Sequence, residues 1–106
     1  MDCIFCKIVN GELPAEKVYE TDQVLAFRDI HPKAPQHVLV IPKTHLPSIL
    51  DFDTQDATLV AAVIRAIQDI ANQIGVAQDG FRVITNTGAG AGQIVNHVHF
   101  HILGGK

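Results

Sequence analysis

The segment His97-Val98-His99-Phe100-His101-Ile102-Leu103 constrains the fold of this chain more than any other stretch. Imidazole and apolar side chains alternate strictly, and a period of two is that of an extended strand with one face against a core. Val98, Phe100 and Ile102 should face that core, beneath the one long helix of the chain. His97, His99 and His101 share the opposite face. An ordinary amphipathic strand would do as well with Thr, Lys or Glu there, so three imidazoles on one face point to chemistry.

Two chemistries suit them. Imidazole is a common ligand of zinc and iron. Alternate residues of a strand stand about 6.6–6.8 Å apart, so two of the three could converge on a zinc ion but hardly all three. Imidazole is also a nucleophile that titrates near neutrality, so the middle histidine could form a covalent intermediate while its neighbours tune its charge. The preceding loop, Asn86-Thr87-Gly88-Ala89-Gly90-Ala91-Gly92-Gln93, bears on the choice. Alternate glycines let a backbone approach a ligand and aim successive N–H groups at an anion. It lacks a Gly-Lys-Ser/Thr ending and opens no helix, so it is neither a Walker loop nor a dinucleotide fingerprint. Beside three histidines it reads as a phosphate cradle, and phosphoryl transfer to histidine becomes the leading chemistry.

The rest of the chain supplies a small globular frame. Its 106 residues, 47% hydrophobic and 18% charged, suffice for one domain over 1–106 and not for two. The formal net charge of -3 and the absence of Trp argue against a partner that is nucleic acid. No basic segment leads into an apolar stretch at the start, and no apolar run is long enough to span a membrane, so the expected compartment is the cytoplasm, with reduced thiols. Ile4 to Val9 reads as a short helix. Val18 to Glu20 and Val24 to Asp29 flank Thr21-Asp22 as a hairpin. Pro32 to Gln36 is a proline-held loop, and His37 to Ile41 a buried strand ended by Pro42. The long helix is expected to be capped by Asp53, with Asp56 in its first turn. Val60, Val63, Ile64, Ile67, Ile70, Ala71 and Ile74 form its apolar face, Arg65, Asp69 and Asn72 its polar one, and Gly75 its C-terminal stop. Phe81 to Thr85 and His97 to Leu103 complete an antiparallel α+β domain.

The triad segment matches the His-φ-His-φ-His-φ-φ signature (φ apolar) of the histidine triad (HIT) superfamily. Asp29-Ile30-His31-Pro32, Ala34-Pro35-Gln36-His37 and Val40-Ile41-Pro42-Lys43 resemble a second family stretch in order and spacing. Leu103-Gly104-Gly105 is similar to the ending of the histidine triad nucleotide-binding (Hint) branch. The resemblance implies the HIT fold, a five-stranded antiparallel meander with a long helix and a short N-terminal one, usually as a homodimer with the long helix and the His strand near the two-fold axis. It implies hydrolysis of purine nucleoside phosphoramidates without an organic cofactor. His99 would be the nucleophile and His101 a contact to the phosphate oxygens, with His37 and His97 orienting the triad. Asn86, Gly92 and Gln93 would lie at the phosphate, and Asp29 would bind the ribose hydroxyls, as suits a carboxylate. Ile4, Phe5, Ile8, Phe27 and Ile30 would form the slot for the base. The alternatives are a dinucleoside polyphosphate hydrolase or nucleotidyl transferase using the same intermediate, a non-catalytic purine-nucleotide adaptor, and a metal hydrolase. Three departures from the family pattern stand out: Ile94 where many Hint proteins have Ser, Asn96 where an aromatic residue is frequent, and a chain ending at Lys106, short of a longer tail.

Cys3 and Cys6 are too few for a disulfide scaffold and do not follow a strand as a thioredoxin-type pair does. They read as free structural thiols or, by similarity to zinc-binding relatives, as half of a structural Cys₂His₂ zinc site completed by His45 and His97. Of the six histidines only His31 receives no role.

Overall fold

Two apolar runs, Val24 to Phe27 and Val38 to Ile41, are continuous because both faces of their strands are covered. The computed structural model describes residues 3–105. The leader and tail readings rest on Met1, Asp2 and Lys106, which lie outside that range. The elements are α1 (Ile4–Val9), β1 (Lys17–Glu20), β2 (Val24–Arg28), β3 (Gln36–Pro42), α2 (Thr58–Gln73), β4 (Phe81–Ile84) and β5 (Phe100–Gly104). The strands form one antiparallel sheet in the order β1-β2-β3-β5-β4. Only β1 to β3 run as a simple meander. β4 goes to the edge and β5 inserts between it and β3, which brings His101 opposite Leu39 and His37 opposite Leu103.

Alternation splits the core in two. Val24, Ala26, Val38, Val40, Val98, Phe100 and Ile102 pack under Val63, Ala66, Ile67, Ile70 and Ala71 of α2. Leu25, Phe27, Leu39 and Ile41 face the other way, against Cys3, Phe5 and Ile8. The expected placement of Val98, Phe100 and Ile102 beneath the long helix is therefore met. Thr21 closes the first hairpin, its hydroxyl accepting from the N–H of Gln23 and Val24.

Two boundaries and one buried position differ from the sequence expectation. α2 begins at Thr58, not after an Asp53 cap. Asp53 instead accepts from Gln55 N–H and Asp56 from Thr58 N–H, so each carboxylate closes a turn two residues on and helical winding starts only beyond them. Ile64 is half exposed and Ala66 takes the buried position, because the packed stripe runs through 63, 66, 67 and 70. β5 begins at Phe100, not His97. Val98 N–H bonds to Leu46 O at 2.7 Å, so the lead-in residues are held by a loop rather than by the ladder. At the other end of α2 the expectation holds. Gly75 has φ +80°, and Val76 N–H and Gly75 N–H bond back to Ala71 O and Asn72 O as a Schellman stop.

The Gly104 of the branch-like ending has a packing reason. A Cβ there would stand 2.8 Å from Val76 Cγ1, so β5 and the segment after α2 approach as closely as they do only with glycine. Among the described residues no helix is long and apolar enough to cross a membrane.

Candidate active site

β3 and β5 lie side by side, so their side chains on the α1 face form a row of imidazoles whose hydrogen bonds leave little freedom of protonation. His99 Nδ1 donates to the carbonyl of His97 at 2.8 Å. A carbonyl can only accept, so Nδ1 carries the proton, and in the neutral ring Nε2 presents a lone pair. His37 Nδ1 accepts from Lys33 N–H at 3.1 Å, so its Nε2 carries the proton and donates it to His101 Nδ1 at 2.9 Å. That leaves His101 with Nε2–H free to donate. His99 and His101 thus present opposite polarity, a lone pair and an N–H, with ring centroids 5.1 Å apart. Asp29 Oδ2 lies 3.4 Å from His37 Nε2, and its Oδ1 accepts from His31 N–H. Asp29, His37 and His101 are close enough to invite a metal reading. The Lys33 N–H on His37 Nδ1 opposes it, because His37 Nε2 would have to lose its only proton to become a ligand.

Burial disfavours the charged form of two of these imidazoles, His37 and His101. It lowers His37 below the ordinary imidazole range, with Asp29 opposing weakly. Burial also pushes His101 down to about 4, reinforced by the His99 and His37 imidazoles. These groups are neutral in the folded protein and take up protons near 6.5 when unfolded, so the unfolded chain binds more protons over the interval between. Stability is complete above pH 6.5 and falls as the pH drops toward about 4. Thermal melts from pH 7 to 4.5 are expected to show a falling midpoint, and the slope should flatten in His101→Gln. An equal slope in the variant would remove His101 as its source.

His99 is also held through its backbone. Thr85 Oγ1 donates to His99 O at 2.8 Å, just past the end of β4, and the ring of Phe5 meets that of His99 edge-on at 5.1 Å. The glycine loop makes one tight turn at Ala89–Ala91, with Gly88 and Gly92 at φ +84° and +88°.

An open cavity of about 540 Å³ lies over the row. Of the residues expected at the site, Asp29, His37, Asn86, Gly92, His99 and His101 line it. Gln93 does not. Its amide accepts from Gly88 N–H and donates to Pro47 O and Val95 O, so it ties the loop together. Ile4, Phe5, Ile8, Phe27 and Ile30 also lie off its lining. Phe5, Ile8 and Phe27 are buried in the α1 core, while Ile4 is half exposed and Ile30 is 84% exposed beside Asp29. Sequence reasoning missed His31, Lys33 and Arg82, which line the cavity with Ile94. Only the strand order could have placed Arg82 there.

His97 belongs to a second cluster. Its Nε2 donates to Pro42 O at 2.8 Å, which turns the Nδ1 lone pair toward Cys3, Cys6 and His45. The distances are 3.4 Å from His97 Nδ1 to Cys3 Sγ, 3.6 Å to Cys6 Sγ and 3.2 Å to His45 Nδ1, with 3.3 Å between Cys6 Sγ and His45 Nδ1. Tetrahedral zinc bonds of ordinary length predict about 3.5 Å for S···N and about 3.3 Å for N···N, so the four residues fit that ion. Cys3 is also the N-cap of α1, its sulfur accepting from Cys6 N–H, so the helix start and the cluster share one geometry.

A model of the HIT domain matches residues 10–106. The chain is 43% identical over 105 residues to the purine nucleoside phosphoramidase of Escherichia coli strain K12, covering 99% of this chain and 88% of that protein. It is similar to a histidine triad protein from Clostridium difficile, with 53% identity, a TM-score of 0.94 and coverage of 100% and 92% of the two chains. A HIT family hydrolase from Legionella pneumophila Philadelphia 1 shares 44% identity at a TM-score of 0.95, over 99% and 94% of the two chains.

Proposed function

The chain belongs to the HIT domain family, and from that premise we propose that it hydrolyses purine nucleoside phosphoramidates through a nucleotidyl intermediate on His99. The observation that carries this reading is the His99 Nδ1–H bond to the His97 carbonyl, which leaves Nε2 as an unprotonated nucleophile. Nε2 attacks the phosphorus, and a phosphorus–nitrogen bond forms as that to the leaving amine breaks. The departing nitrogen takes a proton from solvent at the open cavity. In the second half water attacks the phosphorus, the bond to Nε2 breaks, AMP leaves and the proton returns to solvent. His101 Nε2–H donates to a phosphoryl oxygen where negative charge grows. His101 is no proton donor here, since losing Nε2–H while His37 donates to Nδ1 would leave it an anion. Asp29 receives the ribose hydroxyls, and Ile30 offers apolar surface to the base beside it. The E. coli relative supports the choice of phosphoramidates. The test is AMP release from adenosine phosphoramidate and from a diadenosine polyphosphate. Faster turnover of the second would move the assignment to polyphosphate hydrolysis, and turnover of neither would favour a binding adaptor.

The resting place of zinc is proposed as Cys3, Cys6, His45 and His97. Four protein ligands make a closed site, so the ion would supply structure rather than Lewis acidity. The fold is proposed to act as a homodimer. Val83 on edge strand β4 and Ile64 on α2 are 45% and 50% exposed, which is apolar surface that a second copy could cover. Sedimentation at the monomer mass at micromolar concentration would overturn this.

A further inference from the structure

The triad face carries two permanent cations for which the chemistry above has no use. In the β4–β5 ladder Arg82 is opposite Leu103 and Ile84 opposite His101, while across β3 His37 is opposite Leu103. Directly paired residues share a face, so Arg82, Leu103 and His37 form one row across three strands, beside the row that contains His101. Lys33 reaches the same end from the loop before β3, where its own N–H fixes His37. A second hollow of about 400 Å³ continues from the first at this end. Lys33, Arg82 and Leu103 are common to both, and the second has no acidic residue in its lining. Among the described residues neither Lys33 nor Arg82 has a carboxylate within ion-pair distance. Lys33 and Arg82 therefore bring positive charge to this end of the face, where the two hollows meet.

Their position relative to the attack matters. In phosphoryl transfer the attacking and leaving atoms lie roughly in line through phosphorus. His99 stands just before β5, its ring 5.1 Å from that of His101, and Leu103 follows His101 along the strand by about 6.7 Å. A leaving group expelled away from His99 along the strand therefore passes over His101, and its far end comes over Leu103, between Arg82 and Lys33.

We propose that Lys33 and Arg82 form an anion subsite for the leaving group, so that the preferred substrates are nucleoside phosphoramidates whose amine carries a carboxylate or a phosphate. This rests on the phosphoramidase reading and extends it to the leaving side. The unpaired cations attract the distal anion, and the open hollow admits it without displacing the α-phosphate from His99 and His101. Ile94, 91% exposed on the same cavity, adds no charge that would compete.

The experiment compares the AMP phosphoramidate of γ-aminobutyrate with that of its methyl ester, which replaces the distal charge by a methyl ester and leaves the reacting end unchanged. Wild type is expected to favour the acid by about tenfold in kcat/KM at low salt, a preference that fades as salt screens it. Arg82→Gln with Lys33→Gln should bring the ratio to about one. An equal fall for both substrates would make the cations general phosphate binders and overturn the subsite, as would a wild-type ratio near one. Binding of both compounds to His99→Ala, by calorimetry, gives the same comparison without turnover. Preferential binding of the acid, lost in the Gln variants, supports the subsite even if hydrolysis fails, and equal or absent binding overturns it.

Discussion

His99→Ala is expected to stop AMP release from adenosine phosphoramidate, with kcat lower by about 10⁴-fold or more, because the variant has no other group at the position of attack. Binding of AMP should change little. The proposed ribose and phosphate partners, Asp29, Asn86 and His101, come from three other points of the chain, and the loop that carries Asn86 is held by Gln93. Binding without turnover separates loss of the nucleophile from loss of the fold. A quench at alkaline pH during wild-type turnover should trap protein heavier by one adenylyl group, and the increment should vanish in the variant. Retention of wild-type rates by His99→Ala would end the mechanism. His101→Ala removes a donor and not the bond-forming atom, so its cost is smaller, about 10²- to 10³-fold.

Protein purified without chelator should contain about one zinc per chain, and Cys3→Ser or Cys6→Ser should remove it. The unfolding temperature should then fall by on the order of 10–20 °C. The cost follows from burial. His97 has no exposed surface, and without an ion its Nδ1 lone pair faces a second lone pair or a thiol rather than a positive charge. Turnover should decline with stability, because the His97 carbonyl that fixes the His99 tautomer belongs to the residue the cluster holds. Metal-free wild type with an unchanged melt would refute the site. Turnover that survives chelation in protein still folded would separate it from a catalytic metal.

Most of the frame was legible from local pattern. The first hairpin, the buried β3, the strand expected at 81–85 and the glycine stop of α2 all rest on short-range chemistry, and all appear within a residue of the expected bounds. The start of α2 did not, because Asp53 and Asp56 suit a turn as well as a cap, and the choice depends on what packs after them. The imidazole alternation pointed to the triad. Yet His97 and His99 precede the ladder, and their placement depends on Leu46 and on the cluster with Cys3, Cys6 and His45. Lys33 and Arg82 were invisible for a different reason. A net charge of -3 sums the whole surface, whereas their shared place on the cavity comes from a strand order that sets Arg82 across from Leu103 and from the loop that brings Lys33 to the same end. Asn86 and Gly92 reach the cavity as expected, but Gln93 turns away from it, since its amide has partners at Gly88, Pro47 and Val95 that no spacing rule announces.

That turned-away amide bears on the thermodynamics of capture. Ordering a flexible loop costs about 1–2 kcal/mol of backbone entropy per residue, and a loop that orders only around its ligand subtracts that cost from affinity. Here Gln93 bridges Gly88 to Pro47 and Val95 with bonds that need no ligand atom, so the cost is borne when the chain folds. The glycines that make the loop look pliable serve its tight turns. A phosphate bound beside Asn86 and Gly92, as proposed, would meet a surface already shaped, and calorimetry should find its binding nearly free of a conformational entropy penalty.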